Sequence, residues 1–297
     1  MKIYFDNVDF QSSSGPNSFA RKLASEVLRK GHTVSDPKNC DVQLSFIQAT
    51  GKSAPLCQRL DGIYFNSEQD WNALNTPIKE TYNIADGVVF QSHFNKFLTE
   101  KYFGKKEKSA IIHNGTDLDL ISKIKPVQIT DLDNFENVWS CASSWRPHKR
   151  LSENIRYFLE CAPSNDCLVV AGNVPENPFD HERVFYCGNL SWENLISLYK
   201  RSSHFLHLAL MDHCPNVVVD ARASGCRIVC SSSGGTKEIA GKNSIIIQDM
   251  DWDYLPFKLY EPPRLDFSKI LESDTLESSL DISDVTDSYL SFLGELV

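Results

Sequence analysis

At 297 residues, with 41% hydrophobic and 23% charged positions, the chain has the composition of a soluble globular protein and the length of two ordinary domains. Its formal charge of -9 argues against a dedicated nucleic-acid binder, while leaving room for local basic sites that take phosphate. The nine cysteines are an odd set without a Cys-x-x-Cys pair, which excludes the usual zinc patterns and points to reduced, buried thiols in a cytoplasmic setting.

Residues 1–5 read as a first strand rather than a secretory signal, and no apolar run reaches the length of a membrane span. A turn-rich loop over 12–17 leads to an amphipathic helix over 18–30, carried by Phe19, Leu23, Val27 and Leu28 and stopped by Gly31. A strand begins at His32 and a third covers 41–46. Residues 80–92 read as a helix end, a strand and a helix start, with Ser92 capping a helix over 94–102. Residues 109–117 read as a strand and a turn, and 118–136 as a linker where periodicity fades.

A second alternating series follows: strands at 138–143, 167–172, 184–188 and 203–210, with helices at 152–161 and at 191–199, the latter capped by Ser191. A polar, proline-interrupted tail is expected over 249–279 and a closing helix over 285–296. Alternation of strands and helices implies mostly parallel sheets, and two such series imply two Rossmann-like domains whose ligands lie at the strand C-terminal ends. The expected domains are 1–125 and 126–297, the second ending in the closing helix.

The densest chemistry lies over 212–241. Asp212 and Asp220 stand with seven residues between them, around Pro215, which reads as the first residue of a helix because its missing N–H is an orphan position anyway. A small-residue stretch (Ala221, Ala223, Ser224, Gly225), a β-branched strand (Ile228, Val229) and a Gly234-Gly235 turn follow. A carboxylate suits a sugar or ribose diol, and a helix N-terminus suits a diphosphate. Taken singly, Asp212 also reads as a helix cap and Asp220 as a solvated helix residue.

This order of features resembles the nucleotide-sugar site of retaining glycosyltransferases of family 4, which have the GT-B fold of two Rossmann-like domains with parallel sheets facing a central cleft. The resemblance extends to Asn114, Gly115 and Asp117, which match the strand end that closes the first domain in that family, and it implies that the closing helix over 285–296 packs back on the first domain. Both acidic positions are usually Glu in the family; here Asp retracts each carboxylate by roughly 1.5 Å. The resemblance implies that Asp212 holds donor-sugar hydroxyls, that backbone around His213, Cys214, Pro215, Asn216 and Val217 faces sugar or phosphate, and that Asp220 clamps the ribose.

Arg146 and Lys149 follow a strand end, where cations would neutralise a leaving diphosphate. The family's other basic residue lies five positions before the lysine; that position is Ser144 here, so Arg146 would replace it. Gly15 in the first loop reads either as a close approach to the donor or as an ordinary turn. Asp61, beside Arg59 and Gly62, reads either as the acceptor's hydroxyl partner or as half of a structural pair. Glu238 reads as structural, His148 and His213 as weak donor contacts, and His113 as a polar loop residue.

The implied activity is transfer of a sugar from a nucleotide-diphosphate donor, UDP favoured over GDP by family frequency, to a hydroxyl of a glycan or lipid-linked acceptor. It proceeds with retention, without a metal and without a covalently bound cofactor. Peripheral membrane contact is compatible with such an acceptor. A GT-B nucleotide-sugar epimerase and a non-catalytic sugar-nucleotide or glycan-binding protein are the alternatives.

Overall fold

The computed structural model describes residues 1–12, 14–272 and 279–297. Residue 13, in the loop expected over 12–17, and residues 273–278, in the expected tail, lie outside the described residues.

The first half of the chain runs β1 (Lys2–Asp6), α1 (Gly15–Arg29), β2 (Thr33–Val34), β3 (Val42–Phe46), β4 (Leu56–Leu60), α2 (Trp71–Ile84), β5 (Gly87–Phe90), α3 (His93–Phe103) and β6 (Ser109–Ile111). These strands form one parallel sheet in the order β2-β1-β3-β4-β5-β6. Every residue of β3, β4 and β5 is buried, as expected for a parallel sheet covered on both faces. The polar members of β3 are satisfied internally: Gln43 and Ser45 donate to the buried Asp6 carboxylate at the end of β1.

After α4 (Leu118–Lys123) and a 3-10 turn at Thr130–Asn134, the chain continues as β7 (Val138–Ser143), a 3-10 turn at Pro147–Lys149, α5 (Leu151–Cys161), β8 (Cys167–Gly172), β9 (Val184–Gly188), α6 (Trp192–Arg201), β10 (Ser202–His207), α7 (Asn216–Ala223), β11 (Arg227–Ser231), α8 (Thr236–Ile239), β12 (Ile245–Ile247), β13 (Ile270–Leu271) and α9 (Ile282–Gly294). The second sheet has the order β13-β12-β11-β10-β7-β8-β9, parallel except for β13. Chain order therefore reverses between β7 and β10. At such a point the crossovers leave in opposite directions and open a crevice at the strand C-terminal ends.

Two packings join the lobes. Ile63, Phe65 and Leu98 from the first half share a cluster with Leu210, Met211 and the aromatic segment Trp252, Tyr254 and Phe257. Helix α9 lays Ile282, Val285, Tyr289, Phe292 and Leu293 into the core that holds Ile3, Phe5, Phe19 and Val27. All nine cysteines are free thiols, and six of them are buried. No helix among the described residues is long and apolar enough to cross a membrane.

Several boundaries differ from expectation for local reasons. Helix α1 starts three residues early, at Gly15, with Pro16 in its first turn, where a missing N–H costs nothing. Pro215 is the N-cap and not the first helical residue of α7, because its ψ of 122° is extended. The expected linker contains α4, capped by the Asp117 carboxylate on Leu120 N at 2.8 Å. Helix α2 was visible only at its end because Pro77 interrupts the pattern, yet an Asp70 cap starts it. Strands β12 and β13, short and at a sheet edge, have no counterpart in the expected elements.

Leu293 is 1% exposed in the core shared by α9 and the first sheet, whereas Ser291 on the same helix faces solvent. Leu293→Ala is expected to cost about 3 kcal/mol of unfolding free energy, and Ser291→Ala less than about 0.5 kcal/mol. Denaturant unfolding of the two variants checks this; equal effects would mean that α9 contributes nothing to the first lobe.

Candidate functional site

The crevice between β7 and β10 is built by the segments that follow them. The segment after β7 turns at Pro147–Lys149 and sends Lys149 back toward β10. There Lys149 Nζ meets Asp212 Oδ2 at 2.5 Å, and His207 Nε2, from the last residue of β10, reaches the same oxygen at 2.8 Å. A carboxylate only accepts, so His207 must donate from Nε2. Burial holds the His207 pKa below its ordinary value despite Asp212, so this imidazole is neutral and orients the carboxylate without charging it. Burial would raise the Asp212 pKa, but the Lys149 ammonium and the His207 N–H outweigh it and hold the acid well below the usual carboxylate range.

Asp212 sits on a constrained backbone. Met211 before it has φ of +57°. The Gly234-Gly235 turn lies flat against it: Gly235 N donates to Asp212 O at 2.7 Å, and a Cβ on Gly234 would come within 2.4 Å of that oxygen. These glycines, expected to permit packing near the nucleotide, are required by the approach to Asp212 and His213 themselves.

Beyond Asp212 the chain crosses to the first lobe. The His213 ring packs on Phe94 and faces Gly62, where any Cβ would collide with it, and Asn95 Nδ2 contacts its Nδ1 at 3.3 Å. Burial lowers the His213 pKa to about 4 and raises the Cys214 thiol to about 12, so neither carries charge at neutral pH. His148 is buried against Tyr260, with its pKa likewise near 4 because of burial. The two histidines weighed as donor contacts are thus both neutral rings packed against aromatic side chains, His148 on Tyr260 and His213 on Phe94.

The lobes are stitched together at Asn114, just beyond β6. Its Nδ2 lies 2.9 Å from Cys214 O, 2.9 Å from Asn216 Oδ1 and 3.1 Å from Gln91 Oε1, and its Oδ1 accepts from Arg59 at 2.7 Å. Arg59 is fully buried between the Phe19 and Phe46 rings and pairs with Asp61 Oδ1, which Gln91 also contacts. The structural pairing of Arg59 and Asp61 is therefore real. The second Asp61 oxygen is buried without a hydrogen-bond partner among the described residues.

Helix α7 presents its N-terminus to the same junction. Asn216 Nδ2 donates to Gly15 O at 2.9 Å, so Gly15 lies directly across the cleft from the free N–H groups of the first turn, where Val217 sits half-buried. Further along α7, Asp220 accepts from Lys22 Nζ at 2.9 Å through one oxygen and from Trp192 Nε1 at 3.0 Å through the other. Asp220 is thus neither solvated nor exposed. Glu238 caps the other lobe: its carboxylate accepts from His93 N at 2.7 Å and Phe94 N at 2.9 Å, at the start of α3, with His113 Nε2 at 3.3 Å. Burial raises its pKa and these donors lower it further, leaving it ionised and below its ordinary value.

The structure thus brings together Lys149 with Asp212 and Gly15 with Asn216, and links Asp61 to the Cys214–Asn216 stretch through Gln91 and Asn114. It leaves Ser144 and Arg146 exposed on the rim, without a side-chain ion pair among the described residues. Sequence reasoning missed Lys22, Trp192 and His207 as partners of the two carboxylates. Only His207, at the end of a strand five residues before Asp212, carried a readable hint.

Residues 168–256 match the family described as Glycosyl transferases group 1. No match is found among curated protein sequences. Among solved structures, Anabaena Alr3699/HepE in complex with UDP and glucose is similar at 15% identity, with 99% of this chain and 100% of that one covered and a TM-score of 0.66. Sucrose-phosphate synthase from Thermosynechococcus elongatus is similar at 11% identity over 99% and 92% of the two chains, with a TM-score of 0.65. AviGT4, a glycosyltransferase involved in avilamycin A biosynthesis, is similar at 14% identity over 99% and 97%, with a TM-score of 0.63. The fold is that of GT-B glycosyltransferase structures.

His148 and His213 resist protonation down to about pH 4 in the folded state, whereas an unfolded histidine takes a proton near pH 6.5. The unfolded chain then binds more protons between those values, so stability rises with pH across that window and falls on acidification from pH 6.5 to 4. Urea midpoints at pH 7, 5.5 and 4.5 should decline in that order, and His213→Gln should flatten the decline. A midpoint indifferent to pH would contradict the buried, neutral placement of these rings.

Proposed function

We propose that the chain is a glycosyltransferase that moves a sugar from a nucleotide-diphosphate donor to a hydroxyl of a glycan or lipid-linked acceptor, with retention and without a metal. The observation that carries this reading is the meeting of Lys149 and Asp212 at the β7/β10 reversal, beside the N-terminus of α7. A cation, an oriented carboxylate and free helix N–H groups answer the three parts of a sugar diphosphate at the position where this topology opens a crevice. The match over residues 168–256 supports it, because that span contains β8 to α8 and both carboxylates. A UDP donor is favoured because HepE was solved with UDP and with UDP-glucose.

In this mechanism the bond between the anomeric carbon and the β-phosphate oxygen breaks as the acceptor oxygen bonds to the same face of that carbon. The acceptor proton passes to the departing β-phosphate oxygen. Negative charge grows on the diphosphate, so the groups that stabilise it act in the transition state. Lys149 supplies the fixed charge, with Arg146 from the rim and the N–H groups of Asn216 and Val217 alongside. Backbone at Gly15, Ser144, Cys214 and Pro215 closes around the donor.

Asp212, held by neutral His207, accepts hydroxyls of the donor sugar, and Asp220 accepts the ribose diol. Asp61, whose second oxygen is buried without a partner among the described residues, is assigned to the acceptor hydroxyl, which must uncover that oxygen to reach it. The reading assigns the protein to the cytoplasm, where nucleotide sugars are used and thiols stay reduced.

A thermal-shift series with UDP, GDP, ADP and CMP tests the reading. UDP should raise the melting temperature, since a ligand selective for the folded state adds to its stability. Asp220→Ala should weaken UDP binding by about tenfold or more, as expected when a charged group loses two hydroxyl partners. No shift with any nucleotide, or an Asp220→Ala protein that binds UDP like the parent, overturns the donor assignment. Turnover of donor only in the presence of acceptor separates transfer from epimerisation, and binding without any turnover would mark a non-catalytic protein.

A further inference from the structure

Asp220, the carboxylate assigned above to the ribose, is already held from the opposite lobe. Lys22 lies on α1, whose apolar face (Phe19, Leu23, Val27) is committed to the core of the first sheet. The lysine therefore projects from the flank of that helix across the cleft. Its Nζ is 2.9 Å from Asp220 Oδ1 and 3.1 Å from Thr116 Oγ1, and it lies 5.4 Å from the centroid of the Trp192 ring. Trp192 Nε1 takes the other Asp220 oxygen. With side chains only 14% and 8% exposed, Lys22 and Asp220 form an ion pair screened from solvent that ties α1 to α7.

We infer that Lys22 is a tether that competes with the donor's ribose for Asp220, and so sets the affinity of the site for its nucleotide; this rests on the assignment of Asp220 to the ribose diol. Both oxygens of Asp220 have partners in the free molecule, Oδ1 the Lys22 ammonium and Oδ2 the Trp192 N–H. A diol that takes both oxygens must first displace the ammonium.

The displaced ammonium has a place to go. A cavity of about 450 Å³ opens beside Lys22 and Trp192, lined by Arg21 as well as by Glu26, Asp117 and Glu193, and Arg29 already pairs with Glu26 and Asp117. Lysine is a point charge on a flexible four-carbon stem, so rotation away from Asp220 brings it toward Glu193 without moving α1. The tether is thus a two-position element: Lys22 on Asp220 in the free protein, Lys22 in this cavity when ribose is bound. The apparent affinity for a nucleotide is the intrinsic affinity reduced by the fraction of molecules in which Asp220 is open.

Calorimetric titration of UDP into the parent and into Lys22→Met tests the tether. Methionine keeps much of the stem's length and removes the charge. The expected result is UDP binding about tenfold tighter in Lys22→Met, together with a lower melting temperature of the free protein.

Binding of UDP by Lys22→Met that is equal to or weaker than the parent's, in a protein with the parent's circular dichroism, overturns the tether and leaves the donor assignment standing. Absence of UDP binding in parent and variant alike overturns the donor assignment, and the tether falls with it. Thr116→Val, which removes the second partner of Lys22 without touching Asp220, carries the test should Lys22→Met not fold. Tighter UDP binding supports the tether there and unchanged binding overturns it.

Discussion

The hydrogen bonds of the Asn114 carboxamide hold the two halves of the site in register. One amide spends its carbonyl on a buried guanidinium of the first lobe and its N–H groups on the backbone and side chain that open α7 in the second. Asn114, Arg59 and Cys214 are buried, so these groups cannot turn to water instead, and loss of one partner leaves another unsatisfied. Arg59 anchors the amide in turn. Its charge is compensated by Asp61 and by the faces of Phe19 and Phe46, at 4.4 and 4.9 Å from the ring centroids. A rigid buried cation in one lobe thus fixes where the helix N-terminus of the other can sit.

From that anchor the remaining contacts between lobes follow in both directions along the cleft. On one side Glu238 caps α3 across the gap, and the Gly234-Gly235 turn beneath it carries Asp212. On the other side α1 faces α7 twice, through Gly15 at the helix start and through Lys22 further along. Contacts of three kinds (amide network, helix cap and ion pair) span the same interface. An apolar cluster around Phe65, Leu210 and Trp252 supplies the non-directional burial that the polar contacts do not.

Most of the fold was legible because its signals are local. Strands β7, β8 and β9 were read to the residue, since continuous apolar runs ending in small residues leave little choice of boundary. Caps at Ser92 and Ser191 marked α3 and α6 correctly, each accepting from the N–H three residues on. The site was legible only as far as its backbone features: the spacing of Asp212 and Asp220, the glycine turn, the lysine after β7. What decides how those carboxylates behave was hidden. Lys22 on an amphipathic helix has the pattern of a solvated charge, and Trp192 that of an ordinary helix start. Their meeting with Asp220 spans 198 residues for the lysine and 28 for the tryptophan. Periodicity cannot report either contact: the tryptophan's arises when two helices of the second lobe pack together, the lysine's only when the two lobes face each other.

The self-pairing of the cleft also bears on how such a site can be both stable and selective. Asp212 and Lys149 neutralise each other, as do Asp220 and Lys22, so the free protein leaves neither buried carboxylate uncompensated. On the proposed function, a sugar diphosphate would bring the complement of each half: oxyanions for the lysine and hydroxyls for the carboxylate. Binding it would exchange protein pairs for ligand pairs and keep the number of satisfied charges nearly constant. Affinity would then be the small difference between two nearly balanced sets of contacts, and a ligand that supplies only one half would break a pair without replacing it. An anion lacking hydroxyls would leave Asp212 with His207 but without its cation, and a neutral sugar would leave Lys149 without its counter-charge. Discrimination would thus arise from the cost of stranding a charged partner, which is larger than the gain from any single new hydrogen bond.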